Sequence, residues 1–572
     1  MDDPKFFLDP RGSHDPRAEL HATVRSFFST APADTSAGTK SPICRFIARY
    51  TWLKDRLSID EAKLPTSGCE EFEDLIEQIK PESATLIFPT SFVNSPASMY
   101  GHTLLTIETA TKSKLLSYAI NYSALTSGAA FAPFYIAKGL LGGYPGYFSI
   151  LPYYAKLQEY SDVNDRDIWE YPLTLDRQEV LRLVMHTYEM ESIYSDYKFF
   201  SENCSYDLLF LIEAARPSAQ LTNRFGSWVI PLDTIREVGE CGLLSEPIYR
   251  PSKSTKVSYL IGSLPPPRRR EALDVALGRR SAREVLDQQL DHETKIRVSD
   301  LAIEYLQYKY TKGDLAKAEY LPRFLSTLEA RSGLGAADEW RYSIPPPPRP
   351  DGGHRSNRLA FRVGTTDGAA FQELRVRPAY HALLDHGAGY KPGSQIVFCD
   401  LVARYFPERR SLRLEGIDLI DIVSIAPRDQ YFKHLSWKVH TGFLRPGLDP
   451  DRDHLVYGLR PAVGLGHQTR ALGLSYLMLD TDLQVGGALR KSYSVGGGLS
   501  AGLHREIRPW WRAQATASYL RYPWGDTSQR FAARFEQNFT VRTNFGLSLA
   551  IERRADREES RLETQAGGSA FF

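Results

Sequence analysis

Beyond residue 353 the hydrophobic period of the chain becomes two, and the pattern repeats to the C-terminus. Leu435, Trp437, Val439 and Phe443 alternate with Ser436, Lys438, His440 and Gly442, and Tyr457, Leu459, Val463 and Leu465 alternate with Gly458, Arg460, Ala462 and Gly464. The same alternation returns in Trp511, Ala513, Ala515, Ala517 and Tyr519, and in Phe545, Leu547, Leu549 and Ile551. Period two sends successive side chains to opposite faces of a strand, so each segment has one apolar face and one polar or small face. Segments of about ten residues built this way and separated by turn or charged residues are the signature of an antiparallel outer-membrane-type β-barrel, here of about ten to twelve strands. A soluble sandwich or barrel is the alternative that the alternation leaves open, with glycines marking bulges. Residues 345–353, four prolines followed by Arg-Pro-Asp-Gly-Gly, form a stiff spacer ahead of the first strand and mark a domain boundary.

A chain of 572 residues is too long for one core. Its formal net charge of +1 argues against a nucleic-acid partner. No apolar run reaches the roughly 18 to 20 residues that a membrane helix needs, which leaves barrel spanning as the only membrane option. The first ten residues carry neither a basic nor an apolar signal region, so the expectation is either a cytoplasmic protein or a chain lacking its leader. Five cysteines leave at least one unpaired.

Residues 1–80 are expected to form helical pieces, with Cys69 opening one of them; a Cys44–Cys69 bridge or two free thiols are both compatible with the spacing. Residues 84–89 are a short buried strand by their continuous apolar run. The apolar and aromatic stretch 129–154 is punctuated by Gly139, Gly142, Gly143 and Gly146, which excludes a long rigid helix. It is expected to be either a flap over an apolar substrate or lipid surface, or a core connection. Residues 174–195 form a helix, 228–265 loop and short strands, and 266–344 a charged, solvated helical connector. The domain expectation is therefore 1–80 helical, 81–265 catalytic, 266–344 connector, 345–353 linker and 354–572 barrel.

Two stretches carry chemistry. Asn203 is a good N-cap for a helix with an apolar face at Leu208, Leu209, Leu211 and Ile212, closed by Pro217. That sets Cys204 at a helix N-terminus, where unpaired N–H groups and the helix dipole favour a thiolate. His102 stands at the mouth of a strand, and a polar turn follows at residues 108–114. A hairpin centred between Thr111 and Lys112 sets His102 opposite Asn121, which can fix the imidazole's tautomer as the third member of a cysteine–histidine site. The thirteen histidines show no HExxH pattern and the cysteines no CxxC, so no metal is expected.

With Ser98-Met-Tyr-Gly-His102, Tyr118-Ala-Ile-Asn-Tyr122, Trp169-Glu-Tyr171 and Tyr197-Lys-Phe-Phe-Ser-Glu-Asn-Cys-Ser205, the chain resembles the bacterial Lnb-type family of lipoprotein N-acyltransferases. The resemblance implies an α+β fold: a circularly permuted papain-like, NlpC-like domain in which histidine precedes cysteine, followed by the all-β barrel. It implies Cys204 as nucleophile and His102 as base, with Asn121 as third member. Ser98, Tyr100, Gly101, Tyr197, Asn203 and Ser205, in the same motifs, are expected to line the substrate. It further implies a phospholipid acyl donor, a lipoprotein acceptor, no cofactor, and residence in the periplasm and outer membrane with a trimmed leader. The first expected oxyanion donor is the Cys204 N–H. Competing readings are a papain-like cell-wall peptidase or amidase and a non-enzymatic outer-membrane barrel protein.

Overall fold

The computed structural model describes residues 2–29, 40–90, 101–110, 116–125, 138–139, 142–226, 228–335, 344–445, 454–556 and 560–572. Two compact units emerge, one almost wholly within residues 1–346 and the other comprising mainly residues 347–572.

In the first unit, seven antiparallel strands form one sheet: β1 (Pro81–Pro89), β2 (Leu104–Thr109), β3 (Tyr118–Ala124), β4 (Tyr144–Pro152), β5 (Ile168–Pro172), β6 (Tyr194–Tyr197) and β7 (Ile248–Arg250). Their order is β6-β4-β3-β2-β1-β5-β7. β1 is central, which explains its unbroken apolar run: Leu86, Ile87 and Phe88 are buried although they point to alternate faces. Ile87, Leu104, Ala119 and Ile168 share a core cluster with Tyr153 and Tyr160. The helix Arg177–Glu189 packs on β1, and the helix Cys204–Ala215 on β2 and β3.

The N-terminal helices Pro16–Phe27 and Ile47–Leu57 close over Phe27, Ile43, Phe46 and Leu53. Cys44 and Cys69 are bridged. Ile47 and Phe72 pack on Tyr188, tying these helices to the sheet unit.

One expectation is overturned and one alternative is decided. Residues 228–265 contain the helices Pro231–Glu240 and Lys253–Ser263 as well as the short strand β7. The first starts on a proline at its first position and buries Leu232, Ile235 and Val238, a helical spacing. Of the two alternatives for 129–154, the described part is a core connection: residues 144–152 are β4, and Gly146 lies under the Tyr122 ring, whose hydroxyl oxygen would be 2.2 Å from an added Cβ. Residues 126–137 and 140–141 are outside the described residues. The helices Pro266–Ala276 and His292–Thr311 bury Leu273, Ile296, Leu301 and Leu306, with Lys317–Ser332 packed on the second of them, giving this segment a core of its own.

In the second unit, β8 (Arg358–Thr366), β9 (Ala369–Arg377), the short β10 (Ala379–His381), β11 (Ser394–Phe406) and the nine strands β12 to β20 within residues 411–571 form one antiparallel sheet. β11 pairs with β9, so twelve strands close into a barrel, with β10 appended to β11. Leu359, Phe361 and Val363 of β8 face outward, as do Leu547, Leu549 and Ile551, each between 43% and 53% exposed. The alternate residues carry ion pairs into the interior: Arg362 to Glu536 (3.1 Å), Arg534 to Glu552 (2.9 Å) and Arg404 to Glu373 (2.8 Å) and Glu563 (2.7 Å). An apolar outside around a charged inside inverts a soluble barrel and matches a lipid surround. Among the described residues no helix is long and apolar enough to cross a membrane. The end of the spacer belongs to this unit, with Pro350 packed so closely on Gly389 that an added Cβ there would lie 2.5 Å from the proline Cα.

Candidate active site

The site gathers where β2 begins, beside the N-terminus of the helix Cys204–Ala215. Asn203 caps that helix: Oδ1 accepts the N–H groups of Ser205 (3.1 Å) and Tyr206 (3.3 Å) and the Ser205 hydroxyl (2.6 Å). Its Nδ2 donates to the carbonyls of Phe199 (3.1 Å) and Val229 (2.8 Å). A cap of this kind contributes about 1 kcal/mol. The polar side-chain atoms of Asn203 and Ser205 are thus engaged within the chain at the helix end, and both residues are buried.

His102 lies two residues before β2. Its Nε2 stands 2.9 Å from Asn121 Oδ1, while Asn121 Nδ2 donates to Ser123 Oγ (3.2 Å). With that amide orientation Nε2 carries the proton and Nδ1 is left for the sulfur. The register differs from the expected one. Leu105 lies opposite Ile120 and Ile107 opposite Tyr118, so the hairpin is centred one residue later and the pairing is shifted by two. A shift of two keeps every side chain on its face, and His102 reaches Asn121 diagonally.

Gly101 has φ of +101°, and an added Cβ would lie 2.4 Å from the Phe88 ring. Its absent side chain therefore sets the position of the following His102. Ser98 and Tyr100 lie outside the described residues.

Cys204 is 2% exposed. Burial pushes its thiol pKa up, but the charge and hydrogen bond of His102, the backbone N–H of Thr103 and the Tyr197 hydroxyl together outweigh burial and bring it down to about 7. Tyr197, at the end of β6, also accepts the Cys204 backbone N–H (3.3 Å) and stacks on Tyr122 at 5.8 Å. Burial and the neighbouring Cys204 keep the Tyr197 phenol protonated. The Cys204 N–H, the first expected oxyanion donor, is held here by the Tyr197 hydroxyl.

Sequence reasoning missed two further groups. The segment Gln158–Val163 forms a π-helical turn, an uncommon element often found at functional sites. It carries Tyr160, whose ring centre is 5.8 Å from that of His102. Arg166 then lays its guanidinium over the same Tyr160 ring, 5.1 Å from its centre. Neither residue stands in a recognisable motif, and the burial of Arg166 is visible only in the fold.

Among the described residues one set of metal-type ligands comes together, His354, His381 and Asp385 in the second unit, with ligand atoms within 4.8 Å of one another. Asp385 already accepts from Arg377 (2.6 Å) and the Ala382 N–H (2.8 Å), and the imidazoles bond each other (2.9 Å). Arg358 also lies 4.0 Å from Asp385, so the cluster is a self-satisfied polar packing group beside arginine cations, a poor setting for a further cation.

Residues 71–240 match the model of the Lnb N-terminal periplasmic domain. Residues 1–56, 247–342 and 347–571 match the models of three different domains of unknown function. No curated protein matches the chain. Among solved structures, the second unit is similar to an outer membrane channel from Pseudomonas putida F1 (11% identity, covering 41% of this chain and 100% of that one, TM-score 0.25). It is also similar to the translocator domain of the autotransporter NalP from Neisseria meningitidis (13% identity, 38% and 88% coverage, TM-score 0.23) and to the NanC porin (8% identity, 37% and 99% coverage, TM-score 0.25). The periplasmic-domain match and the barrel's own lipid-facing exterior put the chain in the periplasm and outer membrane.

Proposed function

We propose that this chain is a thiol acyltransferase that moves a fatty acyl group from a phospholipid to the α-amine of a lipoprotein's N-terminal cysteine, through a thioester on Cys204. The observation that carries the reading is the Cys204 sulfur gathered among His102, Thr103 N–H and Tyr197 within the Lnb-matching segment. On this reading the domain is papain-like with its histidine preceding its cysteine in sequence.

His102 Nδ1 takes the thiol proton, and Asn121 keeps the imidazole turned towards the sulfur. The thiolate attacks the ester carbonyl of the donor. As charge moves from the sulfur to the carbonyl oxygen, the Cys204 N–H exchanges Tyr197 for that oxygen, and the Tyr197 O–H turns from the sulfur to become the second donor beside it. The leaving alcohol takes its proton from His102. In the second half, His102 removes a proton from the lipoprotein amine as it attacks the thioester, and the thiol is restored.

The test is to incubate the full-length chain in detergent with phospholipid alone and weigh the Cys204 peptide. An added acyl mass that hydroxylamine removes supports the reading. A peptide that gains no mass, while the folded protein still alkylates at Cys204, contradicts it.

A further inference from the structure

Arg166 is 2% exposed, and among the described residues no carboxylate pairs with it. Three other buried arginines hold a carboxylate: Arg236 holds Asp233 (2.6 Å), Arg362 holds Glu536 (3.1 Å) and Arg377 holds Asp385 (2.6 Å), while buried Arg45 donates to the Glu189 carbonyl with the Glu189 and Glu191 carboxylates nearby. Arg166 instead donates Nε to the carbonyl of Thr90 and Nη2 to that of Pro89, both at 2.6 Å. These acceptors fix the plane of the guanidinium without neutralising it, and leave Nη1 with no protein acceptor among the described residues. Desolvation of an uncompensated cation is costly, and burial lowers its pKa to about 10. Its flat face rests on Tyr160, whose ring in turn neighbours His102, so the missing negative charge belongs beside the reacting thiol.

We infer that Arg166 is an anion subsite that takes the phosphate diester of the acyl donor. The inference rests on the acyltransferase reading for the identity of the anion, and on the geometry alone for the need of one. A planar guanidinium is suited to two phosphate oxygens, and in a glycerophospholipid the phosphate lies only a few bonds from the ester to be cleaved. The subsite would select donors that carry a phosphate and hold the scissile ester near Cys204. The competing counter-charges within the protein are the Cys204 thiolate and, without a direct ion pair, the Glu159 carboxylate, which act on the same cation.

The test compares full-length wild type, Arg166→Met and Arg166→Lys in detergent, with dihexanoylphosphatidylglycerol and dihexanoylglycerol as donors and thioester on Cys204 as the readout. Wild type is expected to prefer the phosphate-bearing donor by about ten-fold or more, as expected for one charge-assisted contact. Arg166→Met should bring the ratio close to one, and Arg166→Lys should keep part of it. Inorganic phosphate should inhibit the phospholipid reaction of wild type if the headgroup occupies the site. Acceleration of the dihexanoylglycerol reaction by phosphate would instead assign the site to a free anion and overturn the headgroup assignment. A ratio unchanged in Arg166→Met, whatever the absolute rates, overturns the subsite.

A second readout separates the subsite from the chemistry. Glycerophosphoglycerol is expected to slow iodoacetamide alkylation of Cys204 in wild type and not in Arg166→Met. If no donor yields a thioester, the acyltransferase reading fails while this protection still reports on Arg166; equal protection in both proteins overturns the subsite by itself.

Discussion

Replacing Tyr197 by phenylalanine removes one hydroxyl and leaves the ring to stack on Tyr122. That hydroxyl donates to the Cys204 sulfur and accepts the Cys204 N–H. A hydrogen bond to a charged group is worth about 1.5 kcal/mol or more, and about 1.4 kcal/mol corresponds to one pKa unit. Burial, the largest influence on this thiol, continues to push upward, so in Tyr197→Phe the Cys204 pKa should rise from about 7 to about 8. The sign follows: a higher pKa means less thiolate at neutral pH, with the fraction at pH 7 falling from about half to about a tenth. Iodoacetamide alkylation of the Cys204 peptide, followed by mass as a function of pH, should therefore be about five-fold slower at pH 7 and converge with wild type in alkali. Thioester formation should fall further, by about a hundred-fold, because the same hydroxyl is the proposed second oxyanion donor. An alkylation curve that does not move to higher pH would refute the electrostatic account of the site.

Other perturbations probe the frame around it. Gly101→Ala forces a side chain into the left-handed region and onto Phe88, a strain of about 1 to 3 kcal/mol, and should cut thioester formation by displacing His102 while the barrel stays folded; activity near wild type would show that the glycine is dispensable. Removing the bridge with Cys44→Ala and Cys69→Ala opens a loop of 25 residues and should cost the N-terminal unit about 3.5 kcal/mol, seen as a lower thermal midpoint of its transition in calorimetry; an unchanged midpoint would refute this. Cutting the chain in the 345–348 proline run should strongly reduce acylation of membrane-embedded lipoproteins and spare transfer between detergent-solubilised substrates, because the barrel raises local concentration at the membrane. Equal loss in both assays would reject the tether.

The barrel was legible because its pattern is local: period two needs only neighbouring residues, and the outward residues of the strands around Trp437, Leu459 and Leu547 are those that the alternation picks out. The meeting of His102 with Asn121 was legible for a subtler reason. The register was off by two, yet an even error preserves the face, and the imidazole is long enough to reach diagonally. Arg166 and Tyr160 were not legible, since their value lies in a π-helical turn and in carbonyls of a strand far away in sequence. Tyr197 was legible as a motif residue, but its hold on the Cys204 N–H depends on how β6 meets the helix end. The glycines of 139–146 left flap and core connection both open: Gly146 makes room for the Tyr122 ring within a strand.

In the proposed reaction Cys204 passes an acyl group to lipoprotein amines. The most direct test is mass spectrometry of lipoprotein N-termini from cells expressing either the wild-type chain or Cys204→Ser, with equal outer-membrane levels of the two proteins. The expected result is an N-terminal cysteine bearing one additional acyl group with wild type and a free α-amine with Cys204→Ser. The same N-acylated termini in both strains would contradict the account.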